Sequence, residues 1–350
     1  MSGMRLCRSV LVVVLLVALG GGGASACTRC LHRFADGRVI VGRSMDWMED
    51  PGSEIWCFPR GMKRHGNAGP ASLEWTSKYG SVGVSFYGVA TVDGMNEKGL
   101  VANALYLAES DYGAPVAGRP NLSIGGWVQY VLDSYATVAE AVEALEKEPF
   151  TVRAPILPNG EPGVGHLAIS DASGDSAILE YVAGKLVIHH GRDYTVMTNS
   201  PPYDQQLALD AYWKGIGGDV MLPGTIRASD RFVRASYYVD SIPDDATGPR
   251  AIAAVFSVIR NASAPLGIST PGKPNIASTI WRTVHDQKER VLYFDSATSP
   301  TVFWIPLEKL DFTAGAAVKR LPLKGGETYH GDASGAFGPG AAYTFLEAKP

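Results

Sequence analysis

Four short apolar segments between residues 166 and 197 constrain the fold more than any other feature of this 350-residue sequence. They are His166 to Ser170, Ala177 to Tyr181, Leu186 to His190 and Tyr194 to Met197. Turn-forming residues separate them, such as Ala172 to Asp175 and Ala183 to Lys185. A parallel crossover needs a dozen or more residues, so strands joined by such short links must be antiparallel.

Predicted helices and further strands surround this cluster. Thr137 and Glu140 have the spacing of a helix capping box, and apolar residues follow at helical intervals. Further helices are predicted at Gln205 to Trp213, Asp230 to Val239 and Arg250 to Ile259. The other predicted strands are Thr28 to His32, Val39 to Arg43, Gly88 to Val92, Leu100 to Leu107, Thr279 to Val284, Arg290 to Asp295 and Thr301 to Ile305. A turn-rich link of hairpin type, Asp93 to Gly99, joins the third and fourth of these. Strand groups separated by helices indicate an α+β fold with antiparallel sheets and outer helices.

The N-terminus has the layout of a secretory signal peptide. Basic residues precede an unbroken apolar run from Val10 to Leu19, and Ala24-Ser25-Ala26 forms an A-x-A cleavage site. The run is too short to span a bilayer, which takes roughly 20 residues, so no stable membrane insertion is expected. Lipid attachment to Cys27 is an alternative, but it usually requires Leu where Ala24 stands. We therefore expect residues 1–26 to be a signal peptide and residues 27–350 to form a single domain.

Composition argues against some classes of partner. The sequence has 31 Lys plus Arg against 35 Asp plus Glu, and two of the basic residues, Arg5 and Arg8, lie in the leader. Removing the leader leaves 29 basic against 35 acidic residues, a formal charge of −6. This mild acidic excess gives no electrostatic reason to expect nucleic acid as a partner.

Cys27 becomes the first residue of the chain if the leader is removed. An N-terminal cysteine carries an α-amine of unperturbed pKa about 8 beside a thiol of about 8.5, so one residue can supply nucleophile and base. The alternative is a disulfide or redox pair with Cys30, although a C-x-x-C redox site opens a helix and here a strand is predicted. The sequence lacks H-E-x-x-H, G-x-x-x-x-G-K-[ST] and G-x-S-x-G patterns, and its seven histidines show no metal-ligand spacing. Neither a metal nor another cofactor is implied.

Five blocks in order along the chain resemble the choloylglycine hydrolase family of N-terminal-nucleophile (Ntn) hydrolases, which includes bile salt hydrolases and penicillin V acylases. They are Cys27-Thr28, Gly42 to Asp46, Asp93 to Leu100, Met197 to Pro201 and Asp230 to Arg234, and Asn275 to Asp286 extends the likeness. Within the family the sequence looks most like the penicillin V acylases of Gram-negative bacteria. That likeness is carried by Leu73 to Val82, Gly218 to Ala228 and Asn275 to Thr279.

The resemblance implies a set of catalytic residues. Cys27 Sγ attacks the amide carbonyl and its amine transfers the proton, while Arg43 and Asp46 hold and tune that residue, Asp46 through the ammonium. Asn199 is expected to donate its side-chain N–H to the tetrahedral oxyanion, with a backbone N–H at the Asn96 turn as second donor. For Asn199 the alternative is a residue of a strand-end turn.

Three more residues carry expectations with open alternatives. Arg231 is expected to be a cation that favours thiolate and oxyanion, the alternative being a helix-start residue paired with Asp230. Trp47 and Tyr106 are candidates for the acyl pocket, although lone aromatic residues are more often core. Where Tyr106 stands, the resemblance leads us to expect Trp, so the pocket is expected to differ in shape.

The resemblance further implies a four-layer αββα sandwich with two antiparallel sheets, export to the periplasm and a homotetramer. The expected reaction is hydrolysis of a small-molecule amide between an apolar acyl group and a polar amine. Phenoxyacetyl penicillin and N-acyl homoserine lactones come first as candidate substrates and conjugated bile salts second. A non-catalytic exported binding protein with this fold is the rival hypothesis. If Cys27 is free, Cys30 and Cys57 are left as a possible disulfide.

Overall fold

The computed structural model describes residues 27–217, 220–270 and 273–349. The predicted signal peptide, residues 1–26, lies outside them. The strands up to residue 197 are β1 (Thr28–Arg33), β2 (Val39–Asp46), β3 (Ile55–Phe58), β4 (Lys63–His65), β5 (Glu74–Thr76), β6 (Ser81–Phe86), β7 (Ala90–Asn96), β8 (Val101–Leu105), β9 (Asn121–Ser123), β10 (Thr151–Arg153), β11 (His166–Ser170), β12 (Ser176–Val182), β13 (Lys185–His190) and β14 (Val196–Met197).

The later strands are β15 (Ser269–Thr270), β16 (Lys273–Ala277), β17 (Thr279–Asp286), β18 (Val291–Ser296), β19 (Val302–Pro306), β20 (Lys319–Leu321), β21 (Gly331–Asp332) and β22 (Gly338–Pro339). The α-helices are α1 (Trp127–Ser134), α2 (Val138–Leu145), α3 (Tyr203–Gly215), α4 (Ala228–Asp240) and α5 (Gly248–Asn261). The predicted cap of α2 is confirmed, because the backbone N–H of Glu140 donates to Thr137 Oγ1 at 3.2 Å.

Two large sheets form the centre of the molecule. The first has the order β14-β1-β2-β17-β18-β19-β21 and the second β13-β12-β11-β8-β7-β6-β3-β20-β22. Pairing is antiparallel within both, apart from the parallel contact of β19 with the edge strand β21. Within the cluster between residues 166 and 197, β11, β12 and β13 pair antiparallel in sequence order as predicted. The fourth segment departs from this order, because β14 lies in the first sheet, where it pairs with β1.

Helices cover the outer faces of both sheets, which completes the expected αββα sandwich. Helices α4 and α5 pack on β1, β2 and β17, and α1 and α2 pack on strands of the second sheet. Strand β2 is buried along its whole length because a helix covers one face and the other sheet covers the second. Gly42 makes this packing possible, since a Cβ there would lie 2.6 Å from Ile259 and 2.8 Å from Val255 of α5.

The hairpin prediction was wrong about where β7 ends. The segment from Asp93 was predicted as a turn because its polar residues break an apolar pattern, yet β7 continues to Asn96. Asp93 is fully buried in that strand and finds polar partners in the opposite sheet. The turn itself is confined to the residues around Gly99, whose φ of +86° suits glycine.

The possible disulfide between Cys30 and Cys57 is not formed. Cys30 lies in β1 of the first sheet, Cys57 lies in β3 of the second, and both are free and buried, as is Cys27. Burial raises the pKa of each of the two thiols to about 12, so both are unreactive neutral groups at neutral pH. Among the described residues, no helix is both long enough and apolar enough to cross a membrane.

Candidate active site

Cys27 lies between the two sheets, immediately before β1, and only 2% of it is exposed. Strand β1 pairs with β2 so that Thr28 lies opposite Ser44, and the Thr28 N–H donates to Ser44 Oγ at 3.1 Å. This register brings the last residue of β2, Asp46, beside the cysteine, whose Sγ lies 3.8 Å from the Asp46 carbonyl oxygen. The antiparallel pairing of two consecutive strands therefore assembles the first part of the site.

Asn199 holds the backbone nitrogen of Cys27, the atom that becomes the α-amine if the chain is cut before it. Asn199 Oδ1 accepts from that nitrogen at 2.5 Å and from Arg231 Nη2 at 3.2 Å. Asn199 Nδ2 donates to the Tyr106 carbonyl at 2.7 Å. The amide thus joins three separate chain segments around the cysteine. Asn199 itself is fixed by α3, because Gln206 Nε2 donates to its backbone carbonyl.

Arg231 reaches the site from the first turn of α4. Its guanidinium donates to the Cys27 carbonyl at 2.7 Å, to Thr28 Oγ1 at 2.5 Å and to the Ile226 carbonyl at 3.0 Å. The neighbouring Asp230 carboxylate accepts hydrogen bonds from Thr225 and Ser229.

Asp46 is fully buried and its carboxylate accepts from the Thr279 hydroxyl and, at 3.4 Å, from Ser44 Oγ. The Cys27 nitrogen is hydrogen-bonded to Asn199. Burial raises the pKa of Asp46 to about 6, although Arg231 and Thr279 oppose the shift. A carboxyl with such a pKa changes its charge close to neutral pH.

Burial is also the largest cause of the pKa shifts of Cys27 and Arg231. It raises the pKa of the Cys27 thiol, and the charges of Arg43 and Arg231 act in the opposite direction. It lowers the pKa of Arg231 to about 10, which is still high enough to keep the guanidinium charged at neutral pH. Two buried cations thus favour the thiolate in a site that otherwise disfavours charge.

Arg43 lies on β2 with its guanidinium fully buried between the sheets. It donates to the Ala104 carbonyl at 3.0 Å, packs over the Trp281 ring at 4.6 Å and lies 3.8 Å from Asp93 Oδ2. Asp93 in turn accepts from His285 at 2.7 Å, Asn103 at 2.8 Å and Thr283 at 3.1 Å. Burial alone would raise the pKa of Asp93, but His285 and Arg43 outweigh it and hold that pKa below its usual value.

A largely apolar cavity of roughly 660 Å³, open mouth included, begins at Cys27. Trp47 and Tyr106 line it with their rings 5.8 Å apart, and Trp47 Nε1 donates to the Tyr87 hydroxyl at 2.9 Å. Other walls come from β2, from the β6–β7 and β8 ends, from the 155–165 loop and from the C-terminal tail: Arg43, Met45, Phe86, Val89 to Val92, Ala104, Leu105, Ile124, Gly125, Pro155, Leu157, Gly163 to Gly165 and Leu346. A mostly apolar lining is typical of pockets that bind small organic ligands.

The prediction that Asn96 supplies a backbone donor to this site was wrong. The Asn96 N–H donates to the Leu100 carbonyl at 3.0 Å, which closes the turn after β7. Its side chain donates to the Leu132 and Tyr135 carbonyls, and it does not line the cavity. Asn96 therefore anchors a turn to α1.

The sequence interpretation missed several residues that support the site. Thr279 and Ser44 hold the Asp46 carboxylate, Asp93 lies beside Arg43, and Leu346 lines the cavity from the far C-terminus. The role of Asp93 could have been suspected from the sequence, because it is a charged residue between apolar segments inside a block shared with a known family. The sequence gives no such indication for Leu346, because an apolar residue in an irregular tail cannot be told from other apolar residues. Within the described part of the chain, no cluster of His, Cys, Asp and Glu side chains could hold a metal ion.

Comparison with known proteins gives consistent results. Residues 27–319 match the model of the linear amide C–N hydrolases, choloylglycine hydrolase family. The chain is 48% identical to the penicillin V acylase of Pectobacterium atrosepticum, with 97% of each covered. It is 29% identical to a bile salt hydrolase/transferase of Clostridium perfringens over 62% of this chain and 72% of that one. Among solved structures, penicillin V acylase from Agrobacterium tumefaciens superimposes with a TM-score of 0.85 at 54% identity, covering 91% of this chain and 99% of that one.

Proposed function

Because the chain belongs to the choloylglycine hydrolase family of linear amide C–N hydrolases, we propose that it removes an apolar acyl group from a polar amine by means of an N-terminal Cys27. One observation carries this proposal: Cys27 lines a largely apolar cavity while its nitrogen is held by Asn199. A nucleophile and its base are thereby fixed beside a space for an acyl group.

The first half of the reaction forms a thioester. The α-amine of Cys27 takes the thiol proton, Sγ attacks the amide carbonyl carbon, and the carbonyl oxygen becomes an oxyanion. The amine then passes the proton to the leaving nitrogen as the C–N bond breaks, so the product amine leaves neutral. In the second half the same amine takes a proton from water, and the resulting attack releases the acid and restores the thiol.

The oxyanion needs positioned donors. Asn199 Nδ2 has two N–H groups, and one of them donates to the Tyr106 carbonyl at 2.7 Å. The second is the proposed donor to the substrate oxygen. Losing one such donor typically costs about 100- to 1,000-fold in rate.

The surrounding charges have separate proposed roles. Arg43 and Arg231 favour the thiolate, and Arg231 also fixes the Cys27 carbonyl through the 2.7 Å hydrogen bond. Asp46 compensates the ammonium that exists while the amine carries the proton, since its carboxylate lies in the same buried site. Trp47 and Tyr106 pack against the acyl group.

The relatives suggest which acyl groups to test first. The 48% identical relative and the solved structure at 54% identity are both penicillin V acylases, so phenoxyacetyl penicillin comes first, together with N-acyl homoserine lactones as another amide of an apolar acid. The bile salt hydrolase/transferase at 29% identity makes conjugated bile salts the second candidate. We further propose that residues 27–350 are one periplasmic domain, freed from a signal peptide of residues 1–26, and that the enzyme is a homotetramer.

The test compares the exported wild-type protein with Cys27→Ser on phenoxyacetyl penicillin, a long-chain acyl homoserine lactone and glycocholate, by release of the free amine. We expect turnover of at least one of the first two, and loss of that turnover in the variant while substrate binding persists. Turnover of glycocholate alone would reverse the substrate order. Binding without turnover by the wild type would favour the rival hypothesis of a binding protein.

A further inference from the structure

The C-terminal tail from Tyr343 to Ala348 is fixed against the second sheet although it forms no helix or strand. The Tyr343 hydroxyl pairs with Thr91 Oγ1 at 2.5 Å, and the buried Phe345 ring stacks on Trp75 at 6.0 Å. Beyond these rings, the Ala348 N–H donates to the Asn67 carbonyl at 3.0 Å. The tail lies beyond residue 319, where the match to the family model ends.

Leu346 is the tail residue whose position is most tightly determined. Its N–H donates to the Val89 carbonyl at 2.8 Å, and its carbonyl accepts from Ser123 Oγ at 2.7 Å. Both backbone polar groups are therefore used, so the residue cannot shift without breaking hydrogen bonds. Leu346 lines the same cavity as Cys27.

The two residues enter that cavity from different parts of the fold. Cys27 is linked to β2 through Asp46 and to the segment before α3 through Asn199. Leu346 is linked to the β6–β7 turn through Val89, and Ile124 and Gly125 line the cavity beside that turn. Cys27 and Leu346 therefore line one largely apolar cavity from separate parts of the fold.

We propose that Leu346 is a specificity-determining residue that forms the end wall of the acyl pocket and sets the longest acyl chain the enzyme accepts. This inference rests on the proposed function, since it assigns the cavity to the acyl group of the substrate. The ligand class is an unbranched or aryl-terminated apolar acyl group attached to a polar amine. The wall is a side chain on a fixed backbone, so its size limits the available length.

The test uses straight-chain carboxylic acids of six to fourteen carbons, which are the acyl products, and measures their dissociation constants by calorimetry. Binding of the acids requires no turnover, so the result stands whether or not the amide substrates are hydrolysed. Four proteins are compared: wild type, Leu346→Ala, Leu346→Trp and the matched control Glu347→Ala, which changes the exposed neighbour. Hydrolysis of the corresponding acyl homoserine lactones by wild type, measured in parallel, tests the proposed function separately.

Each buried methylene should strengthen binding by about fourfold until the chain meets the wall. We expect Leu346→Ala to move this limit to longer acids and to improve binding of the first acid beyond the wild-type limit by about tenfold. Leu346→Trp should move the limit to shorter acids, and Glu347→Ala should leave it unchanged. Opposite shifts of the chain-length limit in the two Leu346 variants would distinguish an end wall from a general structural defect. Such a defect would weaken the binding of all acids in both variants. The same limit in all four proteins, or no dependence on chain length in wild type, would overturn the proposal.

Discussion

Asn199 and Asn96 give the sharpest contrast between a residue with a proposed catalytic role and a residue that supports the fold. Both side chains are fully buried, and both lie in blocks that the family resemblance singled out. Asn199 holds the Cys27 nitrogen, Arg231 and the Tyr106 carbonyl. The perturbation is Asn199→Ala, with Asn96→Ala as its matched control.

The two substitutions should cost similar stability. Asn96 makes four side-chain hydrogen bonds, two to carbonyls of the Leu132–Tyr135 region and two from the N–H groups of Lys98 and Leu100. At about 0.5–1.5 kcal/mol each, their loss costs about 2–6 kcal/mol. Asn199→Ala loses three such bonds and costs about 1.5–4.5 kcal/mol on the same scale. Both values are within the stability of an ordinary domain.

The effects on turnover should differ widely. Asn199→Ala removes the proposed oxyanion donor and the acceptor of the Cys27 nitrogen, so kcat should fall by about 100- to 1,000-fold. Asn96→Ala should leave kcat within about threefold, because its groups close a turn outside the cavity. The assay is amide hydrolysis at a temperature below both unfolding transitions, with kcat normalised to the folded fraction from circular dichroism. Equal losses in the two variants, or more than a tenth of the activity in Asn199→Ala, would refute this reasoning.

Three further outcomes are expected. Tyr106→Trp should change the ranking of acyl chains, because a methylene-sized change in an apolar pocket is worth about 1–3 kcal/mol, and specificity constants that all move together would place Tyr106 outside the pocket. Because burial raises the pKa of Asp46 to about 6, kcat/KM should fall as the pH drops through about 6, where the carboxylate is protonated. Over the same range the contribution of Asp46 to stability should rise, because the folded state binds that proton more tightly than the unfolded state. A pH profile of activity that is flat from 7 to 5 would contradict this role. Asp93→Asn should leave the buried Arg43 charge without its carboxylate and reduce the free energy of unfolding by about 3–5 kcal/mol, measured by urea titration, whereas a loss below about 1 kcal/mol would show that the pair is not coupled.

The sequence predicted those parts of the fold that depend on local patterns. Short turns between apolar segments set the antiparallel order of β11 to β13, and the Thr137 cap placed the start of α2. The course of β7 was not predictable in this way. Asp93 lies in a buried strand because it has polar partners there, and two of them, Thr283 and His285, come about 190 residues later in the chain.

The candidate site, like the fold, was predictable from the sequence only in part. Family blocks pointed to Arg43, Asp46, Asn199 and Arg231, which the structure brings together around Cys27. The blocks could not show that the Asn96 N–H is used by its own turn, since that depends on backbone geometry. They also could not show that Cys30 and Cys57 lie in different sheets, or that a tail residue lines the cavity.

The central claim is that Cys27, with a free α-amine, forms the acyl-enzyme. Intact mass spectrometry of the exported protein, quenched in acid during turnover, tests it most directly. We predict a chain of residues 27–350 with a transient mass increase equal to one acyl group, located on Cys27 and absent in Cys27→Ser. A chain that starts at any other residue, a lipid-modified Cys27, or an acyl group on a different side chain would contradict the account.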